Sequence, residues 1–294
     1  MEFINFPGLY QASDKASITA QTTYKNLIGF DLLSMIISSV LAIYNFQNCE
    51  PKLIIYIISG LLLFLGLILT IIIRTKKFED IWYQGRALAE STKTLTWRFI
   101  MCSESFENNI DEQTAKERFI KRLKEISHEF IDLNKTLNSV VMTLPVITDK
   151  MLEIRRLNFL ERKQYYLENR IEDQKNWYAN KAEFNKERYN NWFLLIILCQ
   201  TLSIICIVYL IKFPDSNWNF VGFFTTVSAS AISWLQLKQH QELKQAYTTA
   251  AQELNFIIAS AGRVNDDTQL SEFVLDSENA ISREHTLWLA QKRN

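Results

Sequence analysis

Trp192 to Ile211 is a twenty-residue apolar run, and a second run, Trp218 to Leu237, follows after a short turn carrying Pro214. At about 1.5 Å per helical residue, each run is long enough to cross a hydrocarbon core of roughly 30 Å. Neither Gly nor Pro interrupts the chain between Pro145 and Pro214, so a charged helix can lead straight into the first of the two runs. Such a chain has little choice of fold. It reads as an all-α integral membrane protein.

The first half repeats the plan. Residues 9–26 read as a short polar helix leading into a span at about 27–46, and Asn48 to Lys52, with Pro51, makes a turn. A second span follows at about 53–73 and is stopped by Arg74, Lys76 and Lys77. Cytoplasmic helices then occupy 74–142, with a polar break at Ser103–Asn109 and a helix from about Asp111 to Met142, ending before Pro145. In the second half a lead-in helix spans about 148–191, some 60 Å if unbroken. Spans at about 192–211 and 218–237 come next, then an exit helix from Lys238 to Ala261, a break at Gly262–Asp267 and a last helix from Gln269 to about Gln291. The expectation is four transmembrane helices as two hairpins with long cytoplasmic helices, a duplicated two-span unit divided into 1–145 and 146–294.

Lys and Arg set the orientation. The two turns hold one lysine each, Lys52 and Lys212, whereas Lys25, Arg74, Lys76, Lys77, Lys186, Arg188, Lys238 and Lys244 flank the opposite ends of the spans. By the positive-inside rule both termini are cytoplasmic. The segment MEFINFPGLYQASDK lacks a basic and an apolar region, so no cleavable signal peptide is expected.

The composition narrows the chemistry. With 32 basic and 32 acidic residues the net charge is zero, which gives no electrostatic case for nucleic acid as a partner. Seven Gly and four Pro suit few, long helices. Cys199 and Cys206 read as small hydrophobes within a span rather than a disulfide. His128, His240 and His285 stand apart with no metal-ligand spacing, and no phosphate-binding or nucleophile motif occurs. No catalytic residue, metal or cofactor is expected, and the chain does not read as an enzyme.

The polar content of the spans is more informative. Asp31, Ser34, Ser38, Ala42 and Asn45 recur at steps of three or four along the first span, and Gly222, Thr225, Thr226, Ala229, Ser233 and Gln236 do so along the fourth. Such a stripe has two readings: glue between helices, or the lining of a watery path. On the second reading Asp31, Ser34, Ser38, Asn45, Thr225, Thr226 and Ser233 are pore-lining candidates. The first span is then favoured for the wall, because Asp31 would place a ring of carboxylates at the cytoplasmic mouth. The second span is the most apolar and is expected to face lipid. On the lead-in helix, Leu160, Leu167, Ile171, Tyr178 and Ala182 keep one face moderately apolar, interrupted by Gln164 and Gln174. Arg86, Glu90 and Lys93 after the second span, with Arg170, Asp173 and Trp177 on that lead-in helix, are expected to make contacts in a cytoplasmic bundle.

Tyr166–Ala182 (YLENRIEDQKNWYANKA), followed by Asn185 and a span, resembles the SLATT family, the SMODS- and SLOG-associating two-transmembrane effector domain of bacterial conflict systems. In the first half, Leu9–Ala16 (LYQASDKA) and Arg86–Arg98 (RALAESTKTLTWR) are similar to a related SLATT type. The resemblance implies a bacterial inner-membrane effector that opens a pore as a homo-oligomer when a sensor protein or nucleotide signal instructs it. The alternative is a non-conducting scaffold whose helical bundle recruits partners. No fused sensor domain is recognisable, so the trigger would be a partner, a small molecule at the bundle, or the bilayer itself.

Overall fold

The computed structural model describes residues 1–293, with side chains described as far as Ser282. Regular structure among these residues is helical, and the one strand-like feature is an isolated antiparallel bridge between Tyr44 and Trp218. The helices are α1 (Gly8–Leu41), α2 (Cys49–Lys76), α3 (Phe78–Ile100), α4 (Glu112–Glu129), α5 (Ile131–Asn134) and α6 (Ser139–Met142). They continue as α7 (Asp149–Arg155), α8 (Phe159–Tyr166), a π-helical turn (Leu167–Glu172), α9 (Asp173–Lys212), α10 (Val221–Lys238), α11 (His240–Ser260) and α12 (Asp267–Arg293). Three helical stretches, Gly8–Leu41, Cys49–Ile100 and Phe159–Lys212, are long and apolar enough to cross a membrane.

Several expected helices are cut, each by local chemistry. The lead-in helix does not run unbroken through 148–191. Thr148 caps α7 by accepting from Met151 N at 3.3 Å, and Asn158 starts α8 with a reciprocal capping box to Glu161. Those caps satisfy amides that an uninterrupted helix would otherwise bond, so a fresh start costs little. The helix expected over 111–142 stops at Glu129, where Phe130 leaves helical geometry and Asn134 Nδ2 donates to Ser127 O at 2.8 Å. Asn138 then caps α6 through Val140 N and Val141 N. The exit helix begins at His240, because Lys238 belongs to α10 and Gln239 between them adopts left-handed geometry at φ 50°. The first span ends at Leu41 rather than Phe46. Beyond it, Asn45 N donates to Asn217 O at 2.8 Å and Asn219 N to Ile43 O at 2.7 Å, so these backbones pair with each other instead of extending the helices.

The chain forms two compact units, and each draws on both halves of the sequence. One comprises Met1–Gln21, Glu79–Ala182 and Gln245–Asn294. It has an ordinary apolar interior: Leu88, Phe99, Ile100, Phe119, Met151, Ile154, Ile171, Leu270 and Val274 are buried, each contributing about 1.5–3 kcal/mol by burial. Within it α1 and α3 approach closely. A Cβ on Gly85 would lie 3.0 Å from Ser13 O, and Ser17 Oγ donates to Trp82 O at 2.9 Å.

The other unit comprises Thr22–Phe78 and Glu183–Lys244. Its pattern is inverted. Leu53, Ile54, Ile57, Leu61, Phe64, Leu67 and Ile71 of α2 are exposed, as are Leu194, Ile204, Ile205 and Val208 of α9. Most of what it buries is small or hydroxylated, Ser34, Gly66, Cys199, Ser203, Ser228, Ser230 and Ala231, with Ile196, Asn185 and His240 beside them. An apolar exterior over a small-residue interior is how helices pack when the solvent is hydrocarbon. Among the glycines of this unit Gly66 is the most tightly enclosed, since a Cβ there would sit 2.8 Å from Asp31 Oδ1 and 3.5 Å from Ser34 Oγ.

Gly66→Leu is expected to separate α1 from α2 and to lower stability in detergent by roughly 1–3 kcal/mol. Gly60→Leu, with nothing within 4 Å of its added Cβ, should leave the melting temperature unchanged or slightly raised. Thermal melts of the two purified variants check the contrast.

Candidate functional site

The polar centre of the first unit is Glu278 on α12, fully buried beside Arg170, which is 2% exposed. Arg170 Nε donates to Glu278 Oε1 at 2.8 Å and Nη2 to Oε2 at 2.7 Å, the two-pronged geometry that suits guanidinium and carboxylate. Tyr166 donates to Oε1 and Thr94 to Oε2, each at 3.0 Å, so both oxygens are doubly occupied. Trp97 lies 5.9 Å from the Arg170 guanidinium. The π-helical turn explains how these residues share a face. Arg162 and Tyr166 are buried before it, and Arg170, Ile171, Tyr178 and Ala182 in and after it. The extra residue rotates the buried face, which leaves Leu160 exposed where an apolar contact was expected.

Two further guanidinium groups stitch the loops around this centre. Arg155 donates to Phe99 O at 2.6 Å and to Phe106 O at 2.9 Å, satisfying a carbonyl at the end of α3. Arg162 donates to Arg155 O at 3.3 Å and Leu157 O at 3.0 Å, and pairs with Asp267 at the start of α12.

Beside the buried pair lies a cleft of 390 Å³, lined by Asp14 of α1, Arg86, Glu90 and Lys93 of α3, and Asp173 and Trp177 of α9, among others. Five of the six expected bundle residues therefore meet on one surface, and Arg170 stands behind it. Burial lowers the pKa of Lys93, with Glu90 opposing. Burial, and then the neighbouring Glu90, raise that of Asp14. Trp177 packs edge-on to Tyr178 at 5.2 Å and to Tyr247 at 5.3 Å.

The span candidates fall into two groups. Asp31 and Ser34 sit against Gly66 of α2, and Ser34 Oγ donates to Asp31 O at 2.7 Å. Ser38 is half-buried, and Asn45 lies past the end of α1, off the helical stripe. On α10, Thr225 and Ser233 are exposed, as are Gly222, Ala229 and Gln236, and Thr226 is half-buried.

His240 was expected to stand alone. It is instead buried at the start of α11 with Nδ1 2.7 Å from Asn185 Oδ1. Burial, then Lys238, Arg188 and Lys25, lower its pKa to about 4. His128 is exposed, and the side chain of His285 lies outside the described residues. Among the described residues no cluster of His, Cys, Asp and Glu could hold a metal ion.

Sequence reasoning passed over Glu278, Tyr166 and Thr94. A signal was present: Leu270, Val274 and Glu278 recur at steps of four, placing a carboxylate on the apolar face of α12. Its basic partner recurs likewise in Arg162, Tyr166 and Arg170.

Comparison with known families gives two matches. Residues 7–163 match the model described as SMODS and SLOG-associating 2TM effector domain 3, and residues 166–288 match domain 1 of the same series. No curated protein and no solved structure matches the chain.

Glu278→Leu alone is expected to strand a buried guanidinium and to cost about 3–5 kcal/mol, whereas Arg170→Met with Glu278→Leu should recover most of the loss. Denaturation of the single and double variants measures that coupling. A separate expectation concerns acid. The unfolded chain protonates His240 near its ordinary 6.5 and the folded chain only near 4, so this group contributes no pH dependence above 6.5. Stability should then fall as pH drops from 6.5 towards 4. Melts across this range should show the gap between native protein and His240→Gln narrowing at acid pH.

Proposed function

Because the chain belongs to the SLATT family of SMODS- and SLOG-associating two-transmembrane effector domains, we propose that it is a membrane effector forming a homo-oligomeric channel or pore in a bacterial inner membrane. Its setting would be an antiphage or nucleotide-signalling conflict system. On this reading α10 is a fourth span. Its 18 residues reach about 27 Å, close to the thickness of the hydrocarbon. Two tandem two-span domains then place both termini on the cytoplasmic side, in keeping with the Lys/Arg asymmetry.

The observation that carries the proposal is the exposed stripe of α10. Gly222, Thr225, Ala229, Ser233 and Gln236 are exposed in the single chain. A polar stripe on a spanning helix avoids lipid by meeting another copy or water. Within the unit, Asp31 and Ser34 instead face Gly66, so the wall is assigned to α10 rather than to α1.

One observation favours the scaffold. Thr225 Oγ1 donates to Val221 O at 2.9 Å and Thr226 Oγ1 to Gly222 O at 2.7 Å, so these hydroxyls are satisfied by their own helix and do not require water.

Thr225→Leu and Ser233→Leu separate the two readings in proteoliposomes. A wetted stripe predicts that ion flux falls by about tenfold or more while cross-linked oligomers persist. Loss of the oligomers would show the stripe to be packing. Native protein that passes no ions while its first unit captures a partner would establish the scaffold.

A further inference from the structure

At one end of the second unit three helices meet around an indole. Trp234 of α10 fills the space left by Gly29 of α1, where an added Cβ would lie 3.6 Å from the ring. Trp192 of α9 meets the same indole at 6.5 Å between ring centroids. One turn further from the hydrocarbon, each of these helices carries a cation: Lys25 on α1, Arg188 on α9 and Lys238 on α10. Lys25 and Lys238 are level because the two chain segments run antiparallel. Their far ends pair at Tyr44 and Trp218, nearly the same number of residues from Gly29 and from Trp234.

The charges that converge here are positive. Those acting on buried His240, which is bonded to Asn185, are Lys238, Arg188 and Lys25 in that order. Arg188 and Lys238 make no ion pair among the described residues, and each lies over an aromatic ring instead, Phe184 at 5.2 Å and Trp234 at 4.6 Å. The acids near them in sequence are engaged or in water: Glu183 holds Lys186 at 2.8 Å, and Glu187 and Glu242 are exposed. Asp31, on the hydrocarbon side of Gly29, faces Gly66 of α2. Cations gathered from three helices repel one another, and an anion that joins them relieves the repulsion.

The surroundings select the anion. Indoles such as Trp192 and Trp234 settle at the level of lipid headgroups. Phe30 and Ile232, next to the Gly29–Trp234 contact, are exposed, so apolar surface suited to acyl chains begins where the cations end. We infer that Lys25, Arg188 and Lys238 bind the phosphate headgroup of an anionic phospholipid whose chains lie along α1 and α10. The site rests on α10 being a fourth span, and not on whether the protein conducts.

The test is native mass spectrometry of the full chain in detergent, with phosphatidylglycerol, phosphatidylcholine of the same chains and soluble glycerol phosphate as probes. Phosphatidylglycerol should be retained about tenfold more strongly than phosphatidylcholine, and glycerol phosphate should not displace it. Lys25→Gln, Arg188→Gln and Lys238→Gln should each weaken retention by about fivefold, while Lys52→Gln and Lys212→Gln at the two turns leave it unchanged. Arg188 is exposed, so its variant reads the charge should the other two not fold. Equal retention of the two lipids would overturn the inference, as would unchanged retention in Arg188→Gln or equal losses in the turn variants. Displacement by glycerol phosphate would overturn the lipid and assign the cations to a soluble phosphate. Asp215→Cys and Gln241→Cys labelled from the same side of intact vesicles would remove the fourth span and the site with it. Labelling from opposite sides without a lipid preference would overturn the site alone.

Discussion

A guanidinium and a carboxylate, both shut away from water, set the terms for the first compact unit. Removing two charges from water is expensive, and the cost is recovered only when every donor and acceptor is matched. Here the match is complete on the acid side: Arg170 occupies both oxygens of Glu278, and Tyr166 and Thr94 take the remaining lone pairs. Those four residues come from α3, α8, the π-helical turn and α12, so the pair holds only when all of these segments are in register. Thr94 lies in the part of the chain that matches one two-transmembrane family model, and the other three lie in the part that matches the second. The interior of this unit thus draws on both of the matched segments.

The second unit obeys a different solvent. Its large exposed residues are mostly Leu, Ile and Phe, and most of its buried ones are Ser, Gly, Ala and Cys. In water that arrangement would unfold or aggregate. In a bilayer it is the stable one, because apolar side chains gain nothing by leaving lipid and small residues let helices approach. The same rule makes the exposed polar stripe of α10 conspicuous, because its surroundings are otherwise hydrocarbon-compatible.

The sequence alone determined the helical class, the apolar stretches in α1, α2 and α9, and the two-transmembrane effector family. Length and hydropathy are local properties, and a run such as Leu53–Ile73 has no other stable use. It also grouped Arg86, Glu90 and Lys93 with Asp173 and Trp177, because spacing along a helix survives folding. What it could not supply were the breaks and the partners. The cuts at Arg156–Asn158 and at Gln239 depend on one cap or one left-handed residue, whose weak local preference is decided by what each segment packs against. Glu278 looks like any acid in a polar stretch until α12 is placed against Arg170, and nothing local in the sequence puts Asp31 beside Gly66. Side-chain pairing across more than a hundred residues is a property of the assembled interior, and only the tertiary structure decides it.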